Sequence, residues 1–214
     1  MQSQRFWFSM LDATLRKLIN PALNPIATIL VKTGLSANCI TILGFLIGVV
    51  GWIALAMNLY YLALGMIVIN RIFDGLDGLM AQKTTKTEIG GYLDIVLDFL
   101  FYSGVPFFFA VGKQEVGLPA SFLIFSFIGT GSSFLAYSAI AAKHKTTNEK
   151  YKNKALYYLG GITEGTETIT FFLFICLKPD KFTEAAWIFG GLCWITTFTR
   201  IYTAFIDFKN LKTT

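Results

Sequence analysis

Hydrophobic positions in this chain fall in long blocks, and polar positions gather in the short gaps between them. Six blocks approach or exceed the roughly 20 residues needed to cross about 30 Å of hydrocarbon: Ile40 to Met57, Tyr61 to Ala81, Gly90 to Val111, Pro119 to Ala142, Ala155 to Leu177 and Ala185 to Phe208. The pattern predicts an all-α, polytopic membrane protein with six transmembrane helices. Ahead of the first block, RFWFSMLDATLRKLI places Phe6, Trp7, Met10, Leu11, Leu15, Leu18 and Ile19 on one helical face and Asp12, Arg16 and Lys17 on the other. That periodicity predicts an N-terminal interfacial amphipathic helix, and not a signal peptide, since it lacks an unbroken apolar core and a cleavage pattern. Pro21 and Pro25 are expected to break its path before the chain turns into the bilayer near Asn38 and Thr41. Without repeats or low-complexity tracts, residues 1–214 read as a single domain: a juxtamembrane segment 1–38, a six-helix bundle 39–208 and a tail 209–214.

Composition agrees with a bilayer as solvent. The chain is 54% hydrophobic and only 14% charged, outside the balance of soluble domains. Basic residues give it direction. Placing both termini in the cytoplasm puts Arg5, Arg16, Lys17, Lys32, Lys83, Lys86, the lysines between 143 and 154, Lys209 and Lys212 inside, against Lys113, Lys178 and Lys181 outside. The formal net charge of +5 therefore points to anionic membrane lipids or a phosphate-bearing substrate. Nucleic acid is not an expected partner, because no basic module interleaved with aromatics is present. Cys39, Cys176 and Cys193 show no CxxC spacing and read as small apolar packers. His144, the only histidine, falls in a lysine-rich loop and reads as solvated.

Four aspartates break the apolar pattern. Asp74 and Asp77 lie three apart on the second block, and Asp94 and Asp98 four apart on the third. Each spacing puts its pair on one helical face. A carboxylate inside a membrane span is expensive and marks function by default. Four that converge from adjacent spans call for cations, and with no soft ligands nearby the cations are Mg²⁺ or Mn²⁺. Three carboxylates can bridge two such ions while the fourth acts as a base, an arrangement suited to phosphoryl transfer to an alcohol. Gly75, Gly78, Ala81, Gly90 and Gly91 keep the surroundings free of side-chain bulk. The shallow position of all four acids predicts a site open to the cytoplasm.

These residues resemble a family signature. DxxDGxxAR, a spacer of eight and then GxxxDxxxD is the pattern of the CDP-alcohol phosphatidyltransferases, membrane enzymes of phospholipid synthesis. Here it reads Asp74, Asp77, Gly78, Ala81, Gly90, Asp94 and Asp98. The resemblance implies transfer of a substituted phosphate, phosphatidyl for a donor such as CDP-diacylglycerol, to the hydroxyl of a small alcohol, with release of CMP. It implies Asp74, Asp77 and Asp94 as ligands of two metal ions, and Asp98 as the base that also touches a metal. It further implies Asp74, Gly78, Ala81, Gly90 and Thr41 beside the nucleotide, and a homodimer. Gln82 stands where the family has arginine, and the spacer to Gly90 is one residue short unless Gln82 is counted in it. Lys83 and Arg71 are the cations placed to compensate.

The acceptor is less legible. Glu164 and Glu167 on the fifth block and Arg200 on the sixth either pair with one another as intramembrane charges or line an acceptor pocket. Two other classes also accommodate a carboxylate cluster: a divalent-cation transporter and a membrane scaffold without activity. Acids near one surface, with apolar far ends of the spans, fit the transporter less well.

Overall fold

A computed structural model describes residues 5–144 and 161–209, with side chains described for 18–143 and 161–209. The described residues form seven α-helices: α1 Arg5–Lys32, α2 Ala37–Ala56, α3 Tyr60–Lys83, α4 Glu88–Gly112, α5 Gly117–His144, α6 Gly165–Leu177 and α7 Phe182–Lys209. Two 3₁₀ turns, Gln114–Val116 and Pro179–Lys181, lead into α5 and α7. Among the described residues, three segments are long and apolar enough to cross a membrane: Ala37–Ala56, Glu88–Gly112 and Gln114–Lys143. Arg71, Asp74 and Asp77 interrupt the apolar character of α3, and α6 is apolar but only 13 residues long.

Side-chain hydrogen bonds fix where the helices begin. Ser36 Oγ accepts from the Cys39 amide at 3.2 Å to cap α2, and Thr87 Oγ1 accepts from the Gly90 amide at 3.1 Å to cap α4. Between α2 and α3 the chain turns at Asn58, whose φ of 59° is in the left-handed region. Asparagine tolerates that conformation, and its side chain is held from both sides. Nδ2 donates to Gly112 O at 3.0 Å, and Tyr60 Oη donates to Oδ1 at 2.6 Å.

Packing joins these helices through two apolar clusters. Leu55, Ile67, Phe101, Phe109, Leu123, Phe172, Ile175 and Phe182 belong to a core that draws on α2 through α7. Leu23 and Ala27 of α1 pack with Ile40, Leu76, Leu79 and Met80 in a second cluster. Outside these cores the circumference is also apolar. Ile53, Phe107, Phe125, Ile188, Phe198 and Phe205 are all exposed, as expected of a surface solvated by hydrocarbon.

Two expectations need correction. Pro21 and Pro25 do not end α1, which runs through both. They are four residues apart on an exposed face, so the carbonyls deprived of a donor share one side. Leu23 and Ala27 are buried against α3, and their packing helps offset the cost of the missing hydrogen bonds. The amphipathic face proposed for Phe6 to Leu15 lies outside the described side chains. The fifth block, Ala155 to Leu177, is not one continuous helix: residues 155–160 lie outside the described region, residues 161–164 are not helical, and α6 begins at Gly165. Ile162 and Thr163 amides both donate to Thr196 Oγ1 at 3.1 Å, which ties this stretch to α7 as a bent, non-helical link.

Candidate active site

Helix lengths determine how the acids meet. The link between α3 and α4 covers only residues 84–87, so the two helices enter side by side and run in opposite directions. Asp77 lies six residues before Lys83, and Asp94 six residues after Glu88. Both therefore stand about 9 Å in from their helix ends at 1.5 Å per residue. Asp74 and Asp98 share a second level, about 14 to 15 Å in by the same measure. The backbones of α3 and α4 stand apart and the two helices meet through side chains, whereas α2 packs closely against both. The gap forms a narrow cleft lined by Thr41, Gly44 and Phe45 of α2, Asn70, Arg71, Asp74 and Asp77 of α3, and Asp94, Leu97 and Asp98 of α4.

Glycines on α2 set the width of this cleft. A Cβ at Gly44 would stand 2.8 Å from Phe73 Cβ, and one at Gly48 would stand 2.8 Å from the Phe101 ring. Any side chain there would push α3 and α4 outward and separate the acids.

The cleft contains all four predicted acids but divides them. Asp74, Asp77 and Asp94 bring carboxylate oxygens within 4.8 Å of one another. Asp77 is 5% exposed, and its Oδ2 is buried with no hydrogen-bond donor. An anionic oxygen in that position is costly unless something positive reaches it. Three convergent carboxylates with one such orphaned oxygen fit a hard divalent cation. Asp98 is outside the trio and instead bonds Arg71, Nη2 to Oδ1 at 2.9 Å. Arg71 Nη1 also approaches Asp74 Oδ2 at 3.8 Å.

Of the small residues assigned to the nucleotide, Thr41 lines the cleft, whereas Gly78, Ala81 and Gly90 are not among its lining residues. Gly78 borders open space; a Cβ at Gly90 would come within 2.7 Å of Asn38 Oδ1 and 2.9 Å of Thr87 Oγ1. Gly90 thus leaves room for the Asn38 and Thr87 side chains at the start of α4. Of the two candidate compensating cations, Arg71 lines the cleft, and Lys83 is exposed at the end of α3.

Glu164 and Glu167 form a reciprocal capping box at the start of α6. The Glu164 amide donates to Glu167 Oε2 at 2.9 Å, and Glu164 Oε1 accepts from the Gly161 amide at 2.9 Å. Arg200 is buried on α7, donates to Thr130 O at 3.0 Å and feels the charge of Glu164. These three do not line the carboxylate cleft, but one side chain connects the regions. Tyr102 Oη receives a 3.3 Å bond from Arg71 Nη1 and lies 3.7 Å from where a Cβ on Gly165 would stand.

Sequence reasoning missed Asn70. Its signal was a polar residue beside an arginine within an apolar block. It also missed the cleft role of Gly44 and Phe45, which carry no chemical signal. Cys176 and Cys193 are buried as expected for packers, whereas Cys39 is exposed.

Among the described residues, an all-helical fold with three apolar segments long enough to cross a membrane carries a cleft of convergent carboxylates suited to a divalent cation, the build of a metal-dependent membrane enzyme. The sequence matches the CDP-alcohol phosphatidyltransferase model over residues 35–201, and the chain belongs to that family. It is accordingly an integral membrane transferase of phospholipid biosynthesis. It is 48% identical over 204 residues to the inner membrane protein YnjF of Escherichia coli, covering 95% of this chain and 99% of that one. It is also similar to the archaetidylinositol phosphate synthase of Pyrococcus horikoshii, 26% identical over 191 residues, 89% of this chain and 94% of the other. The fold resembles the phosphatidylinositol phosphate synthase PgsA1 of Mycobacterium tuberculosis. With CDP-DAG bound, that structure has TM-score 0.65 and 22% identity, covering 86% of this chain and 93% of that chain. With manganese and citrate the TM-score is 0.63 at 22% identity, covering 86% and 88%.

Proposed function

We propose that this enzyme transfers a phosphatidyl group from a CDP-linked lipid, CDP-diacylglycerol being the favoured donor, to the hydroxyl of a small alcohol and releases CMP. The observation that carries the reading is the trio Asp74, Asp77 and Asp94 with the orphaned Oδ2 of Asp77. PgsA1, with the same overall fold, has been solved with CDP-DAG and with manganese. Asp74, Asp77 and Asp94, with Asp98 touching the set, would hold two divalent ions, Mg²⁺ or Mn²⁺. When bound, such ions neutralise the diphosphate and stabilise charge on the departing phosphate.

The residues divide the remaining work. Asp98 takes the proton of the acceptor hydroxyl. The alcohol oxygen then forms a bond to the phosphorus that carries the diacylglycerol, and the bond from that phosphorus to the CMP phosphate breaks. Thr41 and the open surface at Gly78 border the nucleotide, with Ala81 and Gly90 shaping the approach. Glu164, Glu167 and Arg200 flank the acceptor side, a reading supported by the Tyr102 connection between α6 and the cleft.

The wider arrangement belongs to the same proposal. One domain, with six spans and the N-terminal helix on the membrane surface, puts both termini and the mouth of the cleft in the cytoplasm, and two copies form the working unit. Basic residues at Lys32, Lys83 and Lys86 near that mouth support the orientation. Expression of the chain in a bacterial host followed by lipid headgroup analysis tests the function. A new headgroup class is expected with the wild-type chain and not with Asp98→Asn; an identical lipid profile from both would contradict the reading.

A further inference from the structure

Arg71 is the one cation among the residues lining the cleft, and its hydrogen bonds show what it does there. A guanidinium has five N–H donors. Nε and Nη2 both donate to Asn70 Oδ1, at 2.8 and 2.6 Å. Nη2 also meets Asp98 Oδ1 at 2.9 Å, and Nη1 meets Tyr102 Oη at 3.3 Å and Asp74 Oδ2 at 3.8 Å. The face of the group lies over the Phe101 ring, with Cζ 4.6 Å from its centroid. Four of the five donors thus meet protein groups at hydrogen-bond distance, and the fifth, on Nη1, faces Asp74 at a longer 3.8 Å. A phosphate could draw the whole guanidinium toward itself only by breaking part of this set.

Its principal anchor is itself fixed. Asn70 is 4% exposed, and its Nδ2 donates to Gly44 O at 2.8 Å. The missing side chain at Gly48 leaves room for both Asn70 and Phe101, since a Cβ there would stand 3.2 Å from Asn70 Nδ2. A rigid relay therefore runs from the α2 backbone through Asn70 and Arg71 to Asp98 on α4.

We infer that Arg71 is a positioning residue for Asp98, held in turn by Asn70, and not a phosphate-binding substitute for the family arginine replaced by Gln82. This rests on the proposed transferase reading, in which Asp98 takes the acceptor proton. A base displaced by about 1 Å loses on the order of 100-fold in rate. Lysine cannot reproduce the planar fork, so it should not restore the geometry.

The test combines kinetics with metal binding on purified full-length protein in detergent. Arg71→Ala, Arg71→Lys and Asn70→Ala are each expected to lower kcat for CMP release by about 100-fold, with the donor KM within about twofold of wild type. The Asn70→Ala/Arg71→Ala double variant should fall no further than Arg71→Ala, because both act through one relay. Added guanidinium ion should recover part of the Arg71→Ala rate. For Arg71→Ala, Mn²⁺ titration followed by electron paramagnetic resonance should show binding at least as tight as wild type, since a positive charge has left the neighbourhood of Asp74. A higher donor KM with kcat unchanged, or additive Asn70 and Arg71 effects, would overturn the inference while leaving the transferase reading intact. If Arg71 variants do not fold, Asn70→Ala carries the test, and wild-type kcat in it overturns the inference. Wild-type protein that neither binds Mn²⁺ nor releases CMP overturns the underlying reading and this one with it.

Discussion

Asp77 on α3 and Asp94 on α4 face each other from equal depths, six residues inside the facing ends of antiparallel helices, with carboxylate oxygens within 4.8 Å. Without a cation this is a repulsive pair, and Asp77 has little water to screen it. Asp77→Asn should therefore raise thermal stability in metal-free detergent, by on the order of 1 to 3 kcal/mol at an effective dielectric near 20. The same change should cut metal-dependent CMP release by at least about 100-fold. A lower melting temperature in chelator would show that the acid is stabilising as it stands.

Gly78 and Gly90 share the family signature but meet different surroundings. Gly90→Ala drives a Cβ to 2.7 Å from Asn38 Oδ1 and 2.9 Å from Thr87 Oγ1, so both side chains must turn away and the Thr87 cap that holds the start of α4, ahead of Asp94, is loosened. Reduced stability and reduced Mn²⁺ affinity are expected together. Gly78→Ala meets open space and should leave stability within about 0.5 kcal/mol of wild type. If the nucleotide approaches there, the donor KM rises with little change in melting temperature; unchanged KM would remove Gly78 from the nucleotide surface.

The capping box separates a structural role from an acceptor role at the start of α6. Glu167→Ala removes the acceptor of the Glu164 amide bond and should cost about 1 kcal/mol. Glu167→Gln preserves the box, since glutamine serves at this position. A rise in acceptor KM for Glu167→Gln at wild-type stability is the expected outcome of acceptor contact. Equal kinetics for the glutamine variant and wild type would confine Glu167 to capping.

Much of this site was legible because its chemistry is expensive. Asp74, Asp77, Asp94 and Asp98 stand out in apolar blocks, and helical spacing alone places each pair on one face. Arg71 was equally visible as a charge within a span. What it binds was not, since that depends on the depth match between α3 and α4 and on the short link at 84–87. Helix existence was also readable from block length, whereas the passage of α1 through Pro21 and Pro25 depends on burial of Leu23 and Ala27 against α3. Glu164 and Glu167 misled in a different way. Their three-residue spacing is that of a capping box, but within an apolar block they read as part of the span, and the tether from Thr196 to residues 162 and 163 has no local sequence signal.

The most direct test of the central claim is CMP release by the purified chain supplied with CDP-diacylglycerol and either Mg²⁺ or Mn²⁺, across glycerol phosphate, inositol phosphate, serine and choline as acceptors. The structure predicts release that requires both the metal and one acceptor, is lost in chelator, and is matched by an equal amount of new phospholipid. No CMP with any acceptor, or cation flux in proteoliposomes without CMP, would contradict it.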